Sequence, residues 1–201
     1  HPWEHNEVAP ALAAALATDV PIVALHLTRP PVEIPDRKAL NMASHMEAAK
    51  GAYIIKDYDK SRPEEGVVII RGTSCTNSLM KILPRFDAKN HNIKIVAAIS
   101  WELFQRQPVD YRSSIISDQE WMDAMVITNG ALRLMHKWVA NRVVVKYSMS
   151  PDFDNRWRTG GSLEEIVAES KLDPTSIWEG INRFAKEREQ RLNSVRNSIP
   201  V

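Results

Sequence analysis

The sequence predicts an α/β fold built on a mostly parallel sheet, on three observations. Residues 66–70, Gly-Val-Val-Ile-Ile, and 93–99, Ile-Lys-Ile-Val-Ala-Ala-Ile, are apolar runs of the kind buried on both faces of such a sheet. Between them Leu79, Leu83 and Phe86 recur at helical spacing, so strand, helix and strand follow with short turns, which implies a right-handed parallel crossover. The alternation resumes with a strand at 124–128, a helix at 131–140 with Leu134 and Trp138 on one face, and a strand at 143–147.

The elements before this core are legible in order. Val8, Leu12 and Leu16 recur every four residues in an alanine-rich setting and predict an amphipathic helix over 4–17. Residues 20–27, Val-Pro-Ile-Val-Ala-Leu-His-Leu, read as a buried strand that runs into Thr28, Arg29, Pro30 and Pro31. Pro30, Pro31 and Pro35 can continue neither a helix nor a ladder, so 30–46 is expected to be a linker at a domain boundary. A short β-rich run follows at 52–56.

The last third turns helical. Ser162 and Glu165 stand at capping-box spacing before Ile166 and Val167. Asp173-Pro174 supplies an N-cap and a first-turn proline. Ile177, Ile181, Phe184 and Leu192 mark the buried stripe of one long last helix, whose charged stretch 186–191 is expected to be a solvated face. There is no internal repeat and no low-complexity tract.

Composition narrows the function classes. With 201 residues and 44% hydrophobic content the chain can build a sizeable core. Lys and Arg number 26 against 25 Asp and Glu, a net charge of +1, so no global field draws the chain to nucleic acid or an anionic membrane, and any anion site must be local. The single cysteine, Cys75, excludes an internal disulfide framework and a cysteine-based zinc cluster and fits a reducing compartment, so a cytoplasmic location is expected. No apolar run approaches the roughly 18 to 20 residues of a membrane span, and no secretory signal opens the chain. His1-Pro2-Trp3 runs almost at once into a helical pattern, as in a chain cut from something longer.

Several candidate sites carry chemistry. Ligands of open α/β sheets collect beyond the carboxyl ends of strands, so Arg29, at the end of the 20–27 run, is a candidate anion ligand. A guanidinium fork suits a phosphate because it makes paired charge-assisted hydrogen bonds and keeps its charge. Residues 71–74, Arg-Gly-Thr-Ser, place a glycine turn and two hydroxyls before a helix, where an anion can bind, although Ser74 or Thr76 as a plain N-cap explains the same residues. Cys75 lacks an identifiable base and reads as a small buried residue. His1 and His5 have the spacing of a metal-binding pair without a third ligand in view. Residues 101–107 read as a loop and short helix whose aromatics pack inward.

Taken in order, these pieces resemble the C-terminal part of transketolases, the thiamine-diphosphate enzymes that move two-carbon ketol units between sugar phosphates. Residues 1–7, His-Pro-Trp-Glu-His-Asn-Glu, are similar to the family's Arg-Pro-x-Asp-x-x-Glu, and 22–29 to its strand ending in Leu-Ser/Thr-Arg. Residues 50–54, Lys-Gly-Ala-Tyr-Ile, resemble Gly-Gly-Tyr-Val, and 68–77 the strand ending in Thr-Gly-Ser-Glu, here with Gly72 before Thr73 and without the glutamate. Phe104-Gln105-Arg106-Gln107 with Tyr111-Arg112 resembles Phe-Asp-x-Gln with its downstream tyrosine, and Tyr147-Ser148-Met149-Ser150 half matches Phe-Gly-x-Ser.

The resemblance implies that residues 1–29 are the last helix and strand of the pyrimidine-binding domain, 30–46 a linker, and 47–201 the C-terminal domain, a three-layer α/β/α sandwich around a mixed sheet. It implies that Arg29 contacts the substrate's phosphate. It also implies thiamine diphosphate and a divalent metal, Mg or Ca, in the complete enzyme, a homodimer, and sugar-phosphate substrates, with no nucleic-acid or membrane partner. The family's cofactor-binding and catalytic groups precede the part matching His1, so the chain by itself is expected to bind no cofactor and to be inactive. The alternative is a noncatalytic regulatory or interaction module of the same fold that binds an anion or nucleotide at the Gly72 to Thr76 turn.

Overall fold

A computed structural model describes residues 1–87, 91–158 and 160–198. Its centre is a four-stranded mixed sheet of β1 (Ala52–Lys56), β2 (Val67–Arg71), β3 (Lys94–Ala98) and β4 (Ala124–Thr128), in the order β1-β3-β2-β4. β2 runs parallel to both neighbours, with Ile69 opposite Val96 of β3 and Val126 of β4. β1 is the antiparallel edge, with Tyr53 opposite Ala97. The apolar run of β2 is explained by this position: Val67, Val68, Ile69 and Ile70 sit between two strands and two layers of helix and are fully buried.

Side chains alternate across the sheet and build two cores. Val68, Ile70, Ile95 and Ile127 face α2 (Thr73–Asp87), which packs Cys75, Leu79, Ile82 and Phe86 against them. Behind α2 lies α8 (Pro174–Lys186), contributing Ile177, Ile181 and Phe184 to the same core. On the other face Val67, Ile69, Val96 and Val126 meet Phe104 of α3 (Trp101–Gln105), Ile115 of α4 (Val109–Ile115), and Met135 and Trp138 of a 3-10 helix, Leu132–Trp138. The short α5 (Asp118–Met122) leads into β4 behind a capping box of Ser117 and Glu120. The result is the α/β/α sandwich expected from the sequence.

The capping signals at 162–165 and 173–174 held. Ser162 and Glu165 form the capping box of α7 (Leu163–Glu169), and the Asp173 carboxylate accepts from Thr175 and Ser176 N–H at the start of α8. Gly51 has φ +87°, and a Cβ there would fall 2.3 Å from Phe104 N, so only glycine lets the entry to β1 lie against the start of α3. Gly51 O then accepts from Ile99 and Ser100 N–H, tying the ends of β1 and β3 together.

Several expectations are corrected. Residues 20–27 form no strand: among the described residues no strand pairs with them, and Ile22 and Leu27 are 83% and 61% exposed. A strand needs a partner edge for its N–H and C=O groups, and the described residues offer none there. The 143–147 run is not a strand either. Asn141 accepts from Val143 and Val144 N–H and starts a short helix, α6 (Arg142–Val145), burying Val144 and Tyr147 at helical spacing. The sheet's continuation shrinks to one bridge between Ile127 and Met149.

In the 132–138 helix Met135 and Trp138 are buried and Leu134 is exposed, because the three-residue turn of a 3-10 helix puts residues i and i+3 on one face. The last helix breaks at Glu187 into α8 and α9 (Arg188–Ser198). The charged stretch there is not all solvated: Arg191 is fully buried, its guanidinium 2.6 Å from Asp123 and 3.5 Å above the Phe184 ring. The N-terminal helix appears as one 3-10 turn, His5–Glu7, followed by α1 (Val8–Leu16), with Ala11 buried and Leu16 exposed.

Candidate functional site

Arg29 lies exposed just beyond the 20–27 segment, with no ion pair or side-chain hydrogen bond among the described residues. Its neighbours Leu27 and Thr28 line a cavity of about 290 Å³ together with Trp3, His5, Val8 and Thr73. The structure thus places the predicted arginine beside a concave site of the chain's first residues and the α2 turn, with its guanidinium unengaged.

The first helix is held against the sheet domain by a buried polar network that the sequence did not reveal. The Glu7 carboxylate accepts from Trp3 N–H at 2.9 Å, from Arg37 Nη2 at 2.7 Å, and from the Tyr53 hydroxyl. Glu4 accepts from the same guanidinium at 2.9 Å, and Trp3 Nε1 donates to Tyr53 Oη at 2.7 Å. Arg37 also stacks over the Trp3 and Tyr53 rings. Burial pushes the Glu7 carboxyl up, against the pull of its donors Tyr53, Trp3 and Arg37, and burial beside Glu7 pushes the Tyr53 phenol up. Three chain segments that are far apart in sequence meet here, and the only local hint is two glutamates three residues apart that turn out to be buried.

At the Gly72 turn the Thr76 hydroxyl is taken up within the helix, while Thr73 and Ser74 are half-buried. α2 starts at Thr73, so Ser74 and Thr76 lie inside its first turn instead of at the cap position, and Thr76 Oγ1 donates to Gly72 O at 2.7 Å. Gly72 itself has φ +108°, and a Cβ there would strike Asn129 Oδ1 at 1.6 Å. Cys75 is fully buried and its thiol is pushed up to about 12 by burial, which keeps it protonated at neutral pH and unsuited to nucleophilic attack. His1 stacks on His26 with ring centroids 4.1 Å apart, and among the described residues no group of three His, Cys, Asp or Glu side chains could hold a metal ion. Phe104 is buried against Trp138 as expected, and the Tyr111 hydroxyl donates to Ala52 O at 2.9 Å, which fixes α4 to β1.

The fold and these features define an α/β domain of the sandwich class with an N-terminal helix and an arginine-bearing segment laid along one end. Residues 51–149, just under half of the chain, match the family described as transketolase-like TK C-terminal domain. A curated relative, the transketolase of Geobacillus stearothermophilus, is 28% identical over 116 residues, covering 57% of this chain and 17% of that protein. Among solved structures, a Pichia stipitis transketolase variant superposes with a TM-score of 0.61 at 17% identity, over 94% of this chain and 25% of its own. The Leishmania mexicana transketolase gives 0.57 at 15%, over 95% and 25%. A Pichia stipitis transketolase in complex with sedoheptulose-7-phosphate gives 0.56 at 18%, over 93% and 24%. The chain therefore spans about a quarter or less of the length of these relatives.

Proposed function

We propose that this chain is the C-terminal part of a transketolase that transfers two-carbon ketol units between sugar phosphates, with Arg29 as the residue of this chain that engages the substrate phosphate. Residues 1–29 act as the end of the pyrimidine-binding domain, 30–46 as the linker and 47–201 as the C-terminal domain, in a homodimeric enzyme. The observation that carries the reading is the family match over 51–149, together with transketolase folds that align with nearly the whole chain. A related structure binds a sugar phosphate, sedoheptulose-7-phosphate, which supports this substrate class. Arg29 is exposed, and Leu27 and Thr28 just before it line a cavity, which leaves its guanidinium free to engage a phosphate.

Thiamine diphosphate and its divalent metal supply the carbanion chemistry of such an enzyme. The described residues of this chain do not fit that group, since they form no carboxylate or histidine set for the metal, and the cofactor site belongs to other parts of the enzyme in this reading. Alone, the chain is expected to be inactive.

The test is kinetic, in the complete enzyme. A charge-assisted hydrogen bond contributes about 1.5–3 kcal/mol, so Arg29→Ala should raise KM for phosphorylated sugars by about ten- to a hundredfold and leave unphosphorylated acceptors nearly unchanged. Equal effects on both would overturn the assignment. The residues encoded upstream of His1 give an independent check, because the reading expects thiamine-site motifs there.

A further inference from the structure

We propose a second, separate anion site: the crevice beyond the carboxyl ends of β2 and β3, anchored by Arg71, binds a small organic phosphate.

The topology puts a crevice there. β2 leads into α2 on one face of the sheet and β3 leads into α3 on the other, so the two adjacent parallel strands send their chains in opposite directions. At such a reversal the connecting segments separate and leave an opening at the strand ends, which is where open α/β sheets bind ligands. Here the opening has a volume of about 430 Å³, within the range of small-molecule sites. It is lined by Arg71, Ser100, Trp101 and Glu102 at the strand ends and by Leu12 and His26 of the N-terminal segment.

The charges in this crevice are unevenly compensated. Arg106 is paired with Asp19 at 2.9 Å and Lys137 with Glu102 at 2.8 Å. Arg71 has no such partner. Its guanidinium donates to Leu134 O at 3.1 Å, lies 3.4 Å from Met135 Sδ, and contacts His1 Nε2, none of them a carboxylate. Burial lowers the pKa of this half-buried guanidinium, against the pull of Glu102, a carboxylate of the same crevice that is itself ion-paired to Lys137. An anion in the crevice would supply what the chain does not. Among anions, phosphate has oxygens to engage the fork of Arg71 bidentately while others reach Lys137 at the rim, and the apolar side of the crevice suits an organic body behind it.

This site is distinct from Arg29, which does not line the crevice, and the inference does not rest on the transketolase reading. The probes are inorganic phosphate, phenyl phosphate and succinate, titrated calorimetrically into the 201-residue chain and followed by amide and arginine side-chain NMR. Phosphate should produce saturable shifts at Arg71, Ser100 and Trp101, with phenyl phosphate binding more tightly than inorganic phosphate. Arg71→Gln should weaken both by about tenfold or more, and Arg29→Ala should leave both unchanged. Absence of saturable shifts at Arg71 overturns the site, as does a response centred on residues 27–32, and succinate binding as tightly as phenyl phosphate overturns the phosphate assignment. If Arg71→Gln fails to fold, as judged by circular dichroism, the shift map of the unsubstituted chain decides on the same criteria.

Discussion

Asp123 shows how much one side chain can organise. Its carboxylate receives Arg188 Nε at 2.6 Å on one oxygen and Arg191 at 2.6 Å on the other, while its backbone carbonyl accepts from Val67 N–H at 3.0 Å. The last helix is thereby tied to the entry of both β4 and β2. Removing one partner of a buried pair leaves an uncompensated charge, at a cost of about 3–5 kcal/mol. Asp123→Ala should therefore lower the unfolding free energy by about that amount in urea titration, and adding Arg191→Met should recover much of it. A double variant no more stable than Asp123→Ala would show that the cost lies in packing instead of charge. None of this could be read from the run at 186–191, because charged residues in a helical pattern look solvated until a partner 68 positions away is brought against them.

Among elements, the caps are the most legible parts of the chain because their chemistry is local. Asp173 is an N-cap in the sequence pattern and in the structure. Its carboxyl lies below the usual carboxylate range: burial pushes it up, but the hydrogen bonds from the Ser176 hydroxyl and from Ser176 and Thr175 N–H outweigh that. A lowered folded value means the cap's contribution is fully present above the unfolded pKa of about 3.9 and disappears as pH falls through the folded value. Asp173→Ala should cost about 1 kcal/mol at pH 7, and the difference between the two proteins should close as pH drops below about 4. A gap unchanged at pH 2.5 would contradict this. Where β-branched content and capping disagree, as at 143–147, the Asn141 cap and the burial of Tyr147 prevailed over strand propensity.

For the whole molecule, the 20–27 segment is the unresolved valence. It carries Ile22, Val23 and Leu27 exposed, with no partner strand among the described residues. Unpaired apolar segments add to other strands, so the isolated chain is expected to self-associate. Light scattering should show a concentration-dependent dimer or larger species, and Val23→Lys should reduce it. A clean monomer at high concentration would contradict this.

The sequence by itself determined the sandwich's core strands, the α2 crossover, the caps of α7 and α8 and the burial of Cys75, because apolar runs and capping residues act over a few positions. It also singled out Arg29, but as the end of a strand that the structure does not form. Only the tertiary structure decided that 20–27 lacks a partner edge among the described residues, that Glu4, Glu7, Arg37 and Tyr53 join into one buried network, that Arg191 goes inside, and that Arg71 faces a crevice without a direct ion pair among the described residues. Those outcomes depend on contacts between residues tens of positions apart, and pairing of buried charge is settled by where the sheet brings the chain together.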